Sequence, residues 1–106
     1  MQFISSLDVK KRLDEQTLHL IDIREPYERE ICFIDNSSHI PMNEVEKIKQ
    51  TIQDCDHESV LICKSGKRAE ATANFIEKEL NISNLFVLQG GILEWIEKID
   101  NQLEIY

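Results

Sequence analysis

The chain has 106 residues, 42% of them apolar, which is enough for one modest core and a single domain spanning residues 1–106. Its 20 acidic side chains against 12 basic ones leave a formal charge of -8. An acidic body disfavours non-specific binding to nucleic acid or an anionic membrane, and no apolar stretch approaches the length of a membrane span.

Phe3-Ile4 predicts a very short first strand, and Ser5 or Ser6 can cap a helix that carries Val9 and Leu13 on one face. Residues 18–23 (Leu-His-Leu-Ile-Asp-Ile) read as a strand with little alternation, as in a parallel sheet covered by helices on both faces. Residues 25–30 fit a short helix with Pro26 in its first turn. Residues 35–38 form a turn, and His39-Ile40-Pro41 a brief edge strand. Val45, Ile48 and Ile52 predict a helix over residues 43 to 53. Val60-Leu61-Ile62 is an apolar, β-branched run and reads as an interior strand. From Arg68, a stripe of Ala69, Thr72, Ala73, Ile76 and Leu80, widened by Phe75, predicts a helix that Asn81 ends. Residues 85–88 are the next strand, Gln89-Gly90-Gly91 a tight loop, and Ile92, Trp95, Ile96, Ile99 and Leu103 a last helix. Strands and helices alternate, so the expected fold is an open three-layer α/β/α domain on a parallel sheet.

The three cysteines, Cys32, Cys55 and Cys63, are odd in number and far apart, without disulfide or metal-site spacing. The three histidines lack ligand spacing too, so neither a metal nor a cofactor is expected. The first residues lack the basic start and apolar run of a signal peptide, so the expected location is the cytoplasm, where thiols stay free. Cys32, amid Ile31, Phe33 and Ile34, reads as a buried inert thiol, and Cys55 lies in a polar connector.

The informative stretch is residues 60–69, a buried strand, then Cys63, then the short loop Lys64-Ser65-Gly66-Lys67-Arg68, then a helix. In an open α/β sheet the carboxyl end of a strand is where ligands bind, and Cys63 falls there. Backbone N–H groups of Lys64 to Arg68 can converge on one point, a nest for an anion, and Gly66 allows the backbone that requires. A thiolate at that focus is stabilised by the groups that would hold an anionic substrate. Lys64, Lys67 and Arg68 also reverse the local charge of an otherwise acidic protein.

Residues 63–68 resemble the active-site loop of the rhodanese family: a cysteine, a basic residue, a glycine, and an arginine closing six positions. Residues 20–28 are similar to that family's early strand with its aspartate, arginine, glutamate and proline. Ser38-His39-Ile40-Pro41-Met42 and residues 88–95, with Gly90, Gly91 and Trp95, resemble two further family segments in the family order. The resemblance implies a five-stranded parallel sheet between helices. It also implies a sulfurtransferase that takes sulfane sulfur from thiosulfate or a persulfide donor onto Cys63 and passes it to a thiol, cyanide or a sulfur-acceptor protein.

In that reading Cys63 is the catalytic nucleophile and persulfide carrier, needing no histidine base, and Lys64, Ser65, Gly66, Lys67 and Arg68 bind substrate. Arg68 and Lys67 are the first candidates for the sulfonate end of thiosulfate. Lys64 either joins them or meets a protein partner. Asp22 and Arg24 are expected to order the surrounding loops, and Glu25 and Glu28 are read as helix-end charges. The resemblance extends to compact single-domain enzymes and to domains at the end of ubiquitin-like protein activators. With no adenylating portion here, sulfur transfer alone is expected.

Three other readings compete. A phosphatase or arsenate reductase uses a similar loop, but the phosphatase loop is one residue longer than residues 63–68. A non-catalytic binding module would not need the cysteine and its cationic loop. A protein-to-protein persulfide relay keeps the chemistry and makes thiosulfate turnover incidental. A monomer is the default expectation.

Overall fold

The apolar runs at 18–23 and 60–62 present side chains on both faces of a strand, which only a sheet covered on both sides can bury. The computed structural model, which describes residues 1–106, has that arrangement. In chain order the elements are β1 (Gln2–Ile4), α1 (Ser6–Asp14), β2 (Leu18–Asp22), α2 (Pro26–Ile31) and β3 (Ser38–His39). They continue as α3 (Val45–Asp54), β4 (Glu58–Ile62), α4 (Lys67–Leu80), β5 (Phe86–Leu88) and α5 (Gly91–Lys98). The five strands form one parallel sheet in the order β1-β5-β4-β2-β3. No helix is long and apolar enough to cross a membrane.

Strand alternation divides the core in two. Leu20, Val60, Ile62 and Leu88 face one side, where Val9, Ile92, Trp95 and Ile96 of α1 and α5 cover them. Ile21, Ile23, Leu61, Cys63 and Val87 face the other, under Ile48 of α3 and Ala69, Ala73 and Ile76 of α4. Cys63 therefore ends the central strand on the face of the helix that follows it.

The chain leaves β2 toward β3 at one edge and leaves β4 toward β5 on the other side. β2 and β4 are neighbours, with Asp22 beside Ile62. The outgoing connections diverge there, at the carboxyl ends of these two strands, which is where open α/β sheets bind ligands. Arg24 follows one strand and Cys63 the other.

Local expectations hold with a few physical differences. Ser5 is the cap, its Oγ accepting from the Asp8 N–H at 3.1 Å. Pro26 opens α2, and Asn81 ends α4 in a left-handed conformation. Phe75 does not widen the buried stripe of α4, since it is 48% exposed. α5 stops at Lys98, so Leu103 packs on the core from a turn after the helix. β3 stops before Pro41, whose ring has no N–H to add to a ladder.

Candidate active site

A cysteine that ends a buried strand is itself buried, and its chemistry depends on what surrounds the sulfur. Cys63 is 1% exposed. Its Sγ accepts from the N–H of Gly66 at 3.1 Å and of Ala69 at 3.3 Å. The chain turns back over the sulfur because Gly66 takes a φ of +102°, a region that other residues avoid. α4 begins at the next residue, so its first N–H groups stand beside the sulfur with no helical carbonyl to bond.

The N–H groups of Lys64, Ser65, Lys67 and Arg68 have no acceptor within the protein. Ser65 and Lys67 are exposed, while Lys64 and Arg68 are half-buried. The far side of the loop is fixed by α5. Ile92 N–H donates to the Cys63 carbonyl at 2.9 Å and Leu93 N–H to the Lys64 carbonyl at 3.2 Å. The loop's carbonyls are thus bound from behind.

Asp22 and Arg24 lie at the adjacent strand end, 1% and 0% exposed. Arg24 binds the carboxylate with both edges of its fork, Nε to Oδ1 at 2.9 Å and Nη2 to Oδ2 at 2.8 Å. Arg29 adds a bond to Asp22 Oδ2 at 3.2 Å. Arg24 also donates to the Cys32 carbonyl at 2.6 Å and to the Tyr106 hydroxyl at 2.9 Å. Burial works against the Arg24 charge, but the bonds to Asp22 and Tyr106 prevail and raise its pKa. The pair braces α2 and the segment after α5 against the sheet and is no surface charge pair.

Arg68 is not free to meet a substrate as the sequence suggests. Its two terminal nitrogens donate to the two oxygens of Glu28 at 2.7 and 2.8 Å. Glu28 is 2% exposed and also accepts from the Glu25 N–H at 3.0 Å and the Tyr106 hydroxyl at 2.7 Å. Arg68 therefore ties the loop to α2. The Glu28 bonds raise the Arg68 pKa, burial opposes them, and the Glu28 charge adds to the rise.

A model of the rhodanese-like domain matches residues 5–98. The chain belongs to the rhodanese-like domain family. A probable adenylyltransferase/sulfurtransferase, MoeZ of Mycobacterium tuberculosis, is 35% identical over 108 residues, covering 97% of this chain and 26% of the relative. A putative sulfur carrier protein, YrkF of Bacillus subtilis, is 32% identical over 92 residues, covering 86% of this chain and 49% of the relative. The crystal structure of a rhodanese-related protein from Thermoplasma volcanium superposes with a TM-score of 0.79 at 30% identity, covering 93% of this chain and 94% of the other. The chain spans only 23% to 26% of the first curated relatives it matches, which are adenylyltransferase and sulfurtransferase proteins.

In this rhodanese-like domain the sequence reading missed two residues of the site. The sequence marks Glu28 as a helix-end charge, and it does bond the Glu25 N–H at the start of α2. Its partners Arg68 and Tyr106 are 40 and 78 positions away, and no local pattern announces them. Tyr106 gives no sequence signal at all. His39 is structural, with Nε2 at 2.8 Å from the Arg24 carbonyl oxygen. Cys55 precedes β4 at its amino end, while Cys63 follows its carboxyl end, so the strand holds the two thiols apart.

The Glu28 cluster also predicts an acid limit. The Arg68 bonds outweigh burial and, with the Glu25 N–H and Tyr106 bonds, hold the Glu28 carboxyl at about 2. A depressed carboxyl stabilises the fold fully above its unfolded pKa and loses that contribution as pH falls toward the folded value. The expected result is a loss on the order of 3 kcal/mol between about pH 5 and pH 2. Urea unfolding across that range would show the slope, and Glu28→Gln should flatten it. His19, whose pKa is lowered by burial and then by His57, adds a loss of the same sign as pH falls below the usual histidine range.

Proposed function

We propose that this domain is a sulfurtransferase that carries sulfane sulfur as a persulfide on Cys63. The observation that carries the reading is the pair of N–H bonds from Gly66 and Ala69 onto the Cys63 sulfur, with further unpaired N–H groups in the same loop. Such a ring favours negative charge at one small centre.

With thiosulfate as donor, the Cys63 thiolate attacks the sulfane sulfur. A new S–S bond forms, the donor's S–S bond breaks, and its electron pair leaves with sulfite. The persulfide's terminal sulfur then carries the charge among the loop N–H groups. Cyanide or an acceptor thiol attacks that sulfur, forming thiocyanate or a new persulfide, and the Cys63 thiolate returns. Donor and acceptor supply every electron pair, so the cycle needs no cofactor. Cys63 is the nucleophile, and Lys64, Ser65, Gly66 and Lys67 surround the transferred sulfur and its donor. Asp22, Arg24, Glu28 and Arg68 hold the loop in place.

A relay from one protein to another is the second reading. It draws on the exposure of Ser65 and Lys67 beside the cysteine, and on the similarity to a relative named as a sulfur carrier. Mass spectrometry after incubation with thiosulfate, and separately with a cysteine-desulfurase persulfide, tests both. A gain of one sulfur atom on Cys63, discharged by cyanide, is expected. Loading from neither donor would overturn the proposal, and loading from the protein persulfide alone would select the relay.

A further inference from the structure

The cation adjoining the cysteine is held in an unusual way. The Lys64 ammonium stands 4.5 Å from the centroid of the Tyr106 ring. An aromatic face positions a cation without cancelling its charge, whereas a carboxylate would neutralise it. The Arg68 fork meets that second fate, since Glu28 takes both terminal nitrogens. Pulling Arg68 toward a ligand would leave a buried carboxylate without its partner, which is strongly unfavourable. Of the two half-buried cations in the loop, only Lys64 keeps an uncancelled charge.

Tyr106 is anchored well enough to serve as the perch. Its hydroxyl accepts from Arg24 Nη1 at 2.9 Å and donates to Glu28 Oε2 at 2.7 Å. The Arg24 guanidinium also lies 5.6 Å from the ring centroid. These bonds join the ring to the buried Asp22–Arg24 pair and to the half-buried Glu28–Arg68 pair, whose arginine is in the same loop as Lys64. In a protein of net charge -8, a loop cation that makes no ion pair, on the residue next to the reactive cysteine, favours an anionic ligand.

We propose that Tyr106 is a positioning residue that presents the Lys64 ammonium to the anionic end of the sulfur donor, so that Lys64, and not Arg68, selects a doubly charged donor such as thiosulfate. The inference deepens the sulfur-transfer reading and rests on it for the ligand's identity. Its test is independent of turnover. In a Cys63→Ser background, thiosulfate affinity is measured by NMR titration of the Gly66 and Ala69 amides. Lys64→Gln and Tyr106→Leu are each expected to weaken binding about three- to tenfold. The double variant should be no weaker than Lys64→Gln alone, because the ring acts through the ammonium. Lys64→Arg, which keeps the charge, should stay within about twofold of the parent, and Tyr106→Phe, which keeps the ring but loses its hydroxyl anchors, should fall between the parent and Lys64→Gln.

Unchanged affinity in Lys64→Gln, or no thiosulfate binding by the parent, overturns the inference. So does a Tyr106→Phe affinity as low as that of Lys64→Gln. These outcomes decide the matter even where Tyr106→Leu fails to fold. Should native protein form no persulfide while Lys64-dependent binding persists, the sulfur-transfer reading fails and the anion site stands.

Discussion

Cys63→Ala is expected to lower sulfur transfer from thiosulfate to cyanide by at least about a thousandfold, while the fold survives. Removing a nucleophile that forms a covalent intermediate leaves only what binding and orientation contribute. The loop N–H groups that now meet Sγ would have no sulfur to charge. Stability should fall by only about 1–2 kcal/mol, from a small cavity and the loss of two weak N–H···S bonds at a buried position. A coupled thiocyanate assay, with circular dichroism to confirm folding, measures both quantities. Activity within tenfold of native would remove Cys63 from the mechanism and return the loop to a structural role.

The second large effect is on the fold. Gly91 has a φ of +63°, and a Cβ there would lie 2.3 Å from the Lys64 carbonyl oxygen and 2.6 Å from that of Cys63. Both obstacles are backbone, and both carbonyls are bonded by the first turn of α5. Gly91→Ala must therefore move the catalytic loop or unwind the start of the helix. Left-handed strain and overpacking together are expected to destabilise by about 2–5 kcal/mol, a large share of a small domain's total of about 5–15 kcal/mol. Gly90 is the internal comparison. Its added Cβ would meet Glu94 and no backbone of the Cys63 loop, with the Glu94 Cβ at 2.6 Å and its carboxyl carbon at 2.7 Å, so Gly90→Ala is expected to lose about 1–3 kcal/mol, from its φ of +74° and from the shift this forces on Glu94. Urea denaturation of both variants measures the difference. Equal losses would mean that the approach of α5 to the Cys63 loop is not what constrains Gly91.

The two glycines show what kind of information a sequence holds. Their pairing before Trp95 marks a turn and a close approach, but which backbone approaches is set by a helix folding onto a loop 27 positions earlier. The Cys63 loop itself was legible, because its chemistry is written within six consecutive residues: strand end, thiol, glycine, helix start. Arg68 marks where that legibility ends. Its presence in the loop is local, whereas its orientation is decided by Glu28, which waits on a different helix. Phe75 failed for a simpler reason: helical spacing identifies a stripe, but how much of the stripe a neighbour covers depends on α3 and the sheet.

By itself the sequence determined the alternation of strands and helices, the two-faced burial of β2 and β4, and Cys63 at the end of a strand. All of these follow from periodicity, propensity and turn chemistry acting over a few residues. Tertiary structure alone decided that Arg68 is spent on Glu28, that Asp22 and Arg24 are buried together, and that the Tyr106 ring lies beneath Lys64. Those outcomes depend on side chains up to 82 positions apart meeting where water is excluded. There a charge must find a partner or a polarisable face, and geometry chooses which one it finds.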